Sequence, residues 1–273
     1  MMPAPRRSRA FRLIVSLLIL YLMGATVLYF FQEQFLFHPQ PVDRRQPYRF
    51  DASFEEMDMP FSSTDTINLV KFFPDTSVAA RGLLIYFHGN QRNITRYAPF
   101  AANFTRSGYE VWMPDYPGFG KSTGLLTEKK MYQLAEQLYR LAQTRFGSDS
   151  IIVYGKSMGT GTAAFLASVK PVKALVLETP YCSIPELVSD YVPFYPCRLL
   201  LRYEFPVRNF LSETDCPVTI FQGTDDWVVR YAHARRLEKW LKPGSRFVSL
   251  EGGSHNNLGD YPLYQRVLDS VLK

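Results

Sequence analysis

A mostly parallel β-sheet sandwiched between helices, with one transmembrane helix in front of it, is the architecture this sequence predicts. The first observation is a run of short apolar segments, at 82–87, 109–113, 151–154, 174–177, 218–221 and 247–250. Such nearly continuous apolar runs suit strands covered on both faces. The second is that helical stretches at about 94–107, 127–146, 158–169, 231–242 and 261–272 separate or follow them, the alternation of a parallel α/β sheet. Two further strands, at 55–61 and 66–73, precede the series and partly alternate apolar with polar residues. The interval 180–215 breaks the rhythm: it is long, proline-spotted and aromatic, as expected of a cap riding over the carboxyl edge of the sheet.

The third observation is the N-terminus. Residues 13–31, LIVSLLILYLMGATVLYFF, form nineteen positions without a charge, enough for a helix to cross a bilayer's hydrocarbon. The apolar region of a cleaved signal peptide is shorter and ends in an A-x-A-like site, so an uncleaved anchor is favoured. Arg6, Arg7, Arg9 and Arg12 precede the run and favour a cytoplasmic N-terminus, with the remaining chain on the extracytoplasmic side. The expected organisation is a basic tail at 1–12, an anchor at 13–31, a juxtamembrane linker at 32–53 and one domain at 54–273.

Composition narrows the function classes. Hydrophobic content of 47% with 21% charged residues describes a folded chain rather than a disordered one. The net charge is +6, but the four N-terminal arginines supply most of it, so the basic balance does not indicate nucleic-acid binding. Cys182, Cys197 and Cys216 are an odd number and contain no C-x-x-C pair, so no zinc ribbon or thioredoxin-like site is indicated. Outside the cytoplasm a Cys182–Cys197 bridge is feasible; three unpaired, mostly buried thiols are the other expectation.

Chemistry concentrates at Gly155-Lys156-Ser157-Met158-Gly159, directly after the strand at 151–154 and directly before a helix. A serine hydroxyl is a weak nucleophile and has to be presented to a base without crowding. A sharp strand-to-helix turn does this, and its tight backbone requires glycine on both sides. Free N–H groups at the helix start then face the charge that develops during attack. At such a turn the acid and then the histidine follow the serine in the chain. His38 and His88 precede Ser157 and are excluded as the base. His233 lies in the amphipathic run YAHARRLEKW and reads as a surface or half-buried helix residue. His255, in a loop after the strand at 247–250, is the expected base. Gly223-Thr-Asp225-Asp226-Trp-Val228 offers two carboxylates after a strand; the usual spacing of glycine, two residues, aspartate, one residue and valine selects Asp226. The oxyanion hole needs two backbone donors: Met158 is expected to supply one, and Asn90, with Gln91 as the alternative, the other.

HGN at 88–90, DYPGFGKSTG at 115–124, GKSMGTG at 155–161, GTDDWVV at 223–229 and GGSHNN at 252–257 together resemble the Bem46-type α/β-hydrolases. That group includes single-pass membrane hydrolases of bacteria and eukaryotic depalmitoylating relatives. The resemblance covers nearly the whole chain. It implies an α/β-hydrolase fold with a small cap, a Ser157–Asp226–His255 triad, and activity on esters or thioesters of acyl groups. The chain departs from the group at Lys156, where glutamine is common, and at Gln222, where histidine is frequent. It also carries no cysteine before Cys182, whereas the depalmitoylating members rely on an N-terminal cysteine cluster.

The expected reaction is acyl transfer to water through an acyl-enzyme, with no metal and no cofactor. The substrate would be an acyl ester or thioester, lipid-like if the cap aromatics Tyr181, Tyr191, Phe194, Tyr195, Tyr203, Phe205 and Phe210 line an apolar pocket. Those aromatics could instead pack the cap onto the domain. Arg198, Arg202 and Arg208 could meet anionic headgroups or remain solvated. A serine peptidase or aminopeptidase shares the same triad, with Glu186, Glu204 or Glu213 as candidate receptors for a free amine. A membrane interaction protein that keeps the fold without catalysis is the third reading.

Overall fold

The computed structural model describes residues 9–74 and 80–273. Part of the expected basic tail, including Arg6 and Arg7, lies outside the described residues. Helix α1, Arg9–Leu36, is long and apolar enough to cross a membrane, and its apolar window is unburied by the rest of the chain. It runs five residues beyond the expected anchor because QEQFL continues with good helix formers.

The stretch expected as a linker is tied to the domain. His38-Pro39 pairs in parallel with Gln91-Arg92, and the His38 N–H donates to the Asn90 carbonyl at 2.9 Å. Phe37 and Tyr48 are buried, so the segment is held by side-chain burial as well as by backbone pairing. These two apolar side chains hold the segment against the domain.

Eight strands form one sheet: β1 (Phe54–Pro60), β2 (Thr66–Phe72), β3 (Gly82–Phe87), β4 (Tyr109–Pro114), β5 (Ile151–Lys156), β6 (Ala174–Glu178), β7 (Val218–Gly223) and β8 (Arg246–Leu250). Their order is β8-β7-β6-β5-β3-β4-β2-β1, and β2 pairs antiparallel with both β1 and β4 while the other pairs are parallel. Alternate side chains face opposite layers, as the two-residue period of a strand requires. Leu83, Ile85, Val153 and Leu177 pack on the side of α2 (Glu128–Ala142) and α3 (Gly159–Val169). Leu84, Tyr86, Ile152 and Val176 pack with Phe104 and with Leu268 of α7 (Pro262–Val271). Each such aliphatic side chain contributes about 1.5–3 kcal/mol by leaving water.

Helix α2 shows how sequence sets its face: Met131, Leu134, Ala135, Leu138 and Ala142 recur at helical spacing and are all buried. Thr127 caps its start by accepting from the Lys130 N–H at 3.2 Å. The chain leaves the sheet between β6 and β7 to build a cap with three short helices, α4 (Ile184–Ser189), α5 (Cys197–Leu200) and α6 (Val207–Glu213). Sheet order reverses direction around β3, which sits between β5 and β4, and the carboxyl ends of strands beside such a reversal form a natural binding crevice.

Candidate active site

Strand β5 ends at Lys156 and α3 begins at Gly159, so Ser157 occupies a two-residue turn. Its φ of +50° lies in the left-handed region, a conformation that costs a non-glycine residue about 1 kcal/mol or more. The turn is closed by packing on both sides. A Cβ on Gly155 would come within 2.7 Å of the Ala163 Cβ, and one on Gly159 would collide with the Phe87 carbonyl oxygen. The adjacent strand β6 and the first turn of α3 hold the serine backbone: the Ser157 N–H donates to the Glu178 carbonyl at 2.8 Å, and the Ser157 carbonyl accepts from the Thr160 N–H at 2.9 Å.

His255 hangs in the loop after β8, and its Nε2 lies 2.9 Å from the Ser157 Oγ. Its Nδ1 lies 2.8 Å from the Asp226 Oδ2. A carboxylate only accepts, so Nδ1 carries the proton and Nε2 is left to accept from the serine hydroxyl. The Asp226 side chain is fully buried and that of His255 is 12% exposed. Asp226 Oδ1 accepts from the Val228 and Val229 N–H groups, both at 2.8 Å, and Oδ2 also accepts from Gln222 Nε2 at 3.1 Å. Those donors fix the carboxylate's orientation. Asp225 is exposed and turns away, with Thr224 bonded to its side chain. Of the two adjacent carboxylates, the structure brings Asp226 to the imidazole.

The loop after β3 reaches the same place because β3 and β5 are neighbours in register, Phe87 opposite Gly155. A Cβ on Gly89 would stand 3.7 Å from the Ser157 Cβ, so the Gly89-Asn90 backbone passes beside the serine. Asn90 also holds the base of α1, donating from its side chain to the Leu36 carbonyl at 2.8 Å. His88 is buried; its Nδ1 is 2.7 Å from the Gly89 carbonyl, and its own carbonyl accepts from the Tyr116 hydroxyl at 2.7 Å. It is a structural residue of the loop. Met158 caps the start of α3, where the first amide groups have no partner within the helix.

The roles of several polar residues around the site are not legible in the sequence. Lys156 is buried and pairs with Glu178 on the adjacent strand; the same carboxylate accepts from Tyr154 and from Tyr264. Lys156 Nζ also lies 3.4 Å from the His255 carbonyl. Gln222 was visible only as a departure from a motif, yet four residues before Asp226 it holds that carboxylate in place. His233 is more buried than its amphipathic setting suggested. Its Nε2 accepts from the Cys182 N–H at 2.9 Å, its Nδ1 faces Asp190 at 2.5 Å, and burial lowers its pKa below the ordinary histidine range. The Cys182 thiol is pushed up to about 11, mainly by burial, and all three cysteines are unpaired. Among the described residues no cluster of His, Cys, Asp or Glu could hold a metal ion.

The cap aromatics divide. Tyr181 and Phe205 pack against Gly161 of α3, and Tyr132, Phe165 and Phe210 form a ring cluster with Phe205. These fasten the cap to the domain. Phe194 and Tyr191 are exposed and Tyr195 stacks on Tyr21 of α1, so none of the three lines an interior pocket. An apolar cavity of about 500 Å³ lies elsewhere, between the base of α1 and the turn after β4, lined by Phe37, Pro117, Phe119, Leu125, Leu126 and Tyr203 among others.

A family model described as the alpha/beta hydrolase fold matches residues 82–196. The alpha/beta hydrolase domain-containing protein 17C of Xenopus laevis is 29% identical over 70% of this chain and 61% of its own length. The human alpha/beta hydrolase domain-containing protein 17B is 28% identical over 70% of this chain and 66% of its own. The chain thus spans about three-fifths to two-thirds of these relatives. Among solved structures, the Pyrococcus furiosus esterase Pf2001 superposes with a TM-score of 0.68 at 17% identity, covering 87% of this chain and 97% of that one. Est1E from Butyrivibrio proteoclasticus, with ferulic acid bound, gives 0.65 at 18% identity, covering 78% and 96%. These likenesses extend the fold beyond the matched segment. The chain has the α/β-hydrolase fold, and its motifs are similar to those of the Bem46-type group.

Proposed function

We propose that this protein is a membrane-anchored serine hydrolase that cleaves acyl esters or thioesters through a Ser157–His255–Asp226 triad. The observation that carries the reading is the pair of contacts made by His255, 2.9 Å to the Ser157 hydroxyl and 2.8 Å to Asp226. Ser157 attacks the acyl carbonyl while His255 takes its proton, and Asp226 holds the imidazole and stabilises its cation. The Met158 and Asn90 N–H groups receive the oxyanion. His255 then returns the proton to the leaving group and activates water against the acyl-enzyme. The anchor is α1, with the domain on the side opposite the N-terminal arginines. The apolar cavity beside its base suits an acyl chain.

The peptidase alternative draws no support from the acidic cap residues. Glu186 is already neutralised by Arg198 and Arg208, and Glu204 and Glu213 are exposed. Purified full-length protein in detergent should hydrolyse nitrophenyl esters and acyl-thioesters, and Ser157→Ala should not. Release of aminoacyl fluorophores without ester turnover would move the protein to the peptidases. No turnover of any of these substrates would contradict the reading.

A further inference from the structure

The outer edge of the cap and the loop after β7 beside it leave large apolar side chains in the open. Trp227 is 86% exposed, Leu199 82% and Phe194 65%, with Val228 and Tyr191 also exposed. Such a cluster on a folded domain marks an interaction surface. Its parts are held by direct contacts: the Tyr191 hydroxyl donates to the carbonyls of Trp227 at 2.6 Å and Val228 at 3.1 Å, and Phe194 packs on Tyr195 at 4.9 Å between ring centres.

What covers this edge follows from where it meets α1. The Tyr195 ring stacks on Tyr21 at 4.8 Å, the Tyr21 hydroxyl donates to the Phe194 carbonyl at 3.1 Å, and the Tyr195 hydroxyl donates to the Tyr21 carbonyl at 3.2 Å. Gly24, one turn on, leaves room for the Tyr195 ring. Lower down, Gln32 donates to the Leu200 carbonyl and accepts from the Arg202 N–H at 2.7 Å. Tyr21 is near the middle of the uncharged run 13–31, which rises only about 28 Å and is all needed to cross a hydrocarbon core of about 30 Å. The part before the cap contact, residues 9–20, rises about 18 Å and cannot cross it alone. Hydrocarbon therefore extends past Tyr21, alongside the cap residues that touch it.

Resting on the reading of α1 as a membrane anchor, we propose that the cap edge formed by Tyr191, Phe194, Leu199, Trp227 and Val228 is immersed in the leaflet through which α1 leaves the bilayer. Phe194 sits deepest, and Trp227 lies at the headgroup boundary, where tryptophan and tyrosine rings are at home. Arg230, stacked over Tyr191 at 4.7 Å, faces the headgroups. Because Trp227 directly follows Asp226, the triad's acid loop lies at the lipid surface and substrate reaches Ser157 from the bilayer.

The test uses full-length protein in phosphatidylcholine vesicles whose acyl chains carry bromine, a tryptophan quencher, at known depths. Trp227→Phe supplies the background from Trp112 and Trp240. The Trp227 signal should fall about twofold, most with shallow bromines, as expected of a ring at the interface. In the Trp227→Phe background, Phe194→Trp should be quenched best by deeper bromines. Leu17→Trp in the same background reports whether α1 itself is inserted, since Leu17 is exposed on the helix. Quenching of Leu17→Trp with Trp227 and Phe194→Trp at background would overturn the immersed edge and leave the anchor standing. No quenching at any of the three positions would overturn the anchor and the edge together.

Discussion

The carboxyl edge of β5 and the junction between α1 and the cap are built on opposite principles. Around Ser157, backbone packs on backbone: Glu178 receives the serine N–H, Gly159 lies against Phe87, and Gly253 lies against Gly223. At the α1 junction, contact is made by long side chains, Tyr21, Tyr195 and Gln32, between a lone helix and short cap helices. The first arrangement tolerates almost no change of shape, because a displaced backbone has nowhere to go. The second is more adaptable, because side chains can change rotamer where packed backbone cannot move. The proposed catalytic geometry resides in the rigid region and the proposed contact with lipid in the adaptable one.

Substitutions should separate the two regions. Ser157→Ala should lower kcat/KM for a soluble ester by about 10⁴-fold or more while leaving thermal stability intact, read by initial rates and by melting. A residual rate near wild type would move the nucleophile elsewhere. Lys156→Met leaves the Glu178 carboxylate buried without its cation, at a cost of about 3–5 kcal/mol in denaturant unfolding. Adding Glu178→Gln should recover much of that loss, and a single variant as stable as wild type would contradict the pairing. Gly159→Ala should cost about 1–3 kcal/mol, since the new methyl meets the Phe87 backbone rather than a movable side chain.

His233 adds a pH term outside the triad. Burial disfavours its charged form in the folded protein, and protonation of Nε2 would remove the acceptor for the Cys182 N–H. Below the ordinary histidine value of 6.5 the unfolded chain binds a proton that the folded chain refuses. Stability should therefore fall as pH drops through and below that value, and be unaffected by this group above it. His233→Gln should show a shallower decline over the same range; an unchanged slope would remove the histidine from the account. On the adaptable side, Tyr195→Ala should loosen the α1–cap contact by about 0.5–1.5 kcal/mol and leave hydrolysis of a short soluble ester unchanged. A large loss of rate would mean that the junction is coupled to the site after all.

The same division governs what could be read from the sequence. Alternation of apolar runs with helical stretches located the sheet strands to within one or two residues, because burial on both faces leaves a continuous apolar signature. Ser157, His255 and the Asp225-Asp226 pair stand out because a strained turn and strand-end loops demand glycine at fixed spacing. Lys156–Glu178 was invisible because the pair forms across two strands, and register is not printed in composition. The tethering of 37–48 was missed for a similar reason: Phe37 and Tyr48 are isolated apolar residues in a polar stretch, and only the folded chain supplies their partners. The outward placement of Phe194 and Tyr195 could not be separated from a pocket lining, since both uses need aromatic residues in a cap.

A fluorophosphonate adduct located by peptide mass spectrometry tests the central assignment most directly, because the probe forms a bond only with a hydroxyl whose proton a neighbouring base can take. The account predicts one modified peptide in the wild-type protein, containing Ser157, and no adduct in Ser157→Ala or after heat unfolding. An adduct on another serine, or an unmodified Ser157 in folded protein, would contradict it.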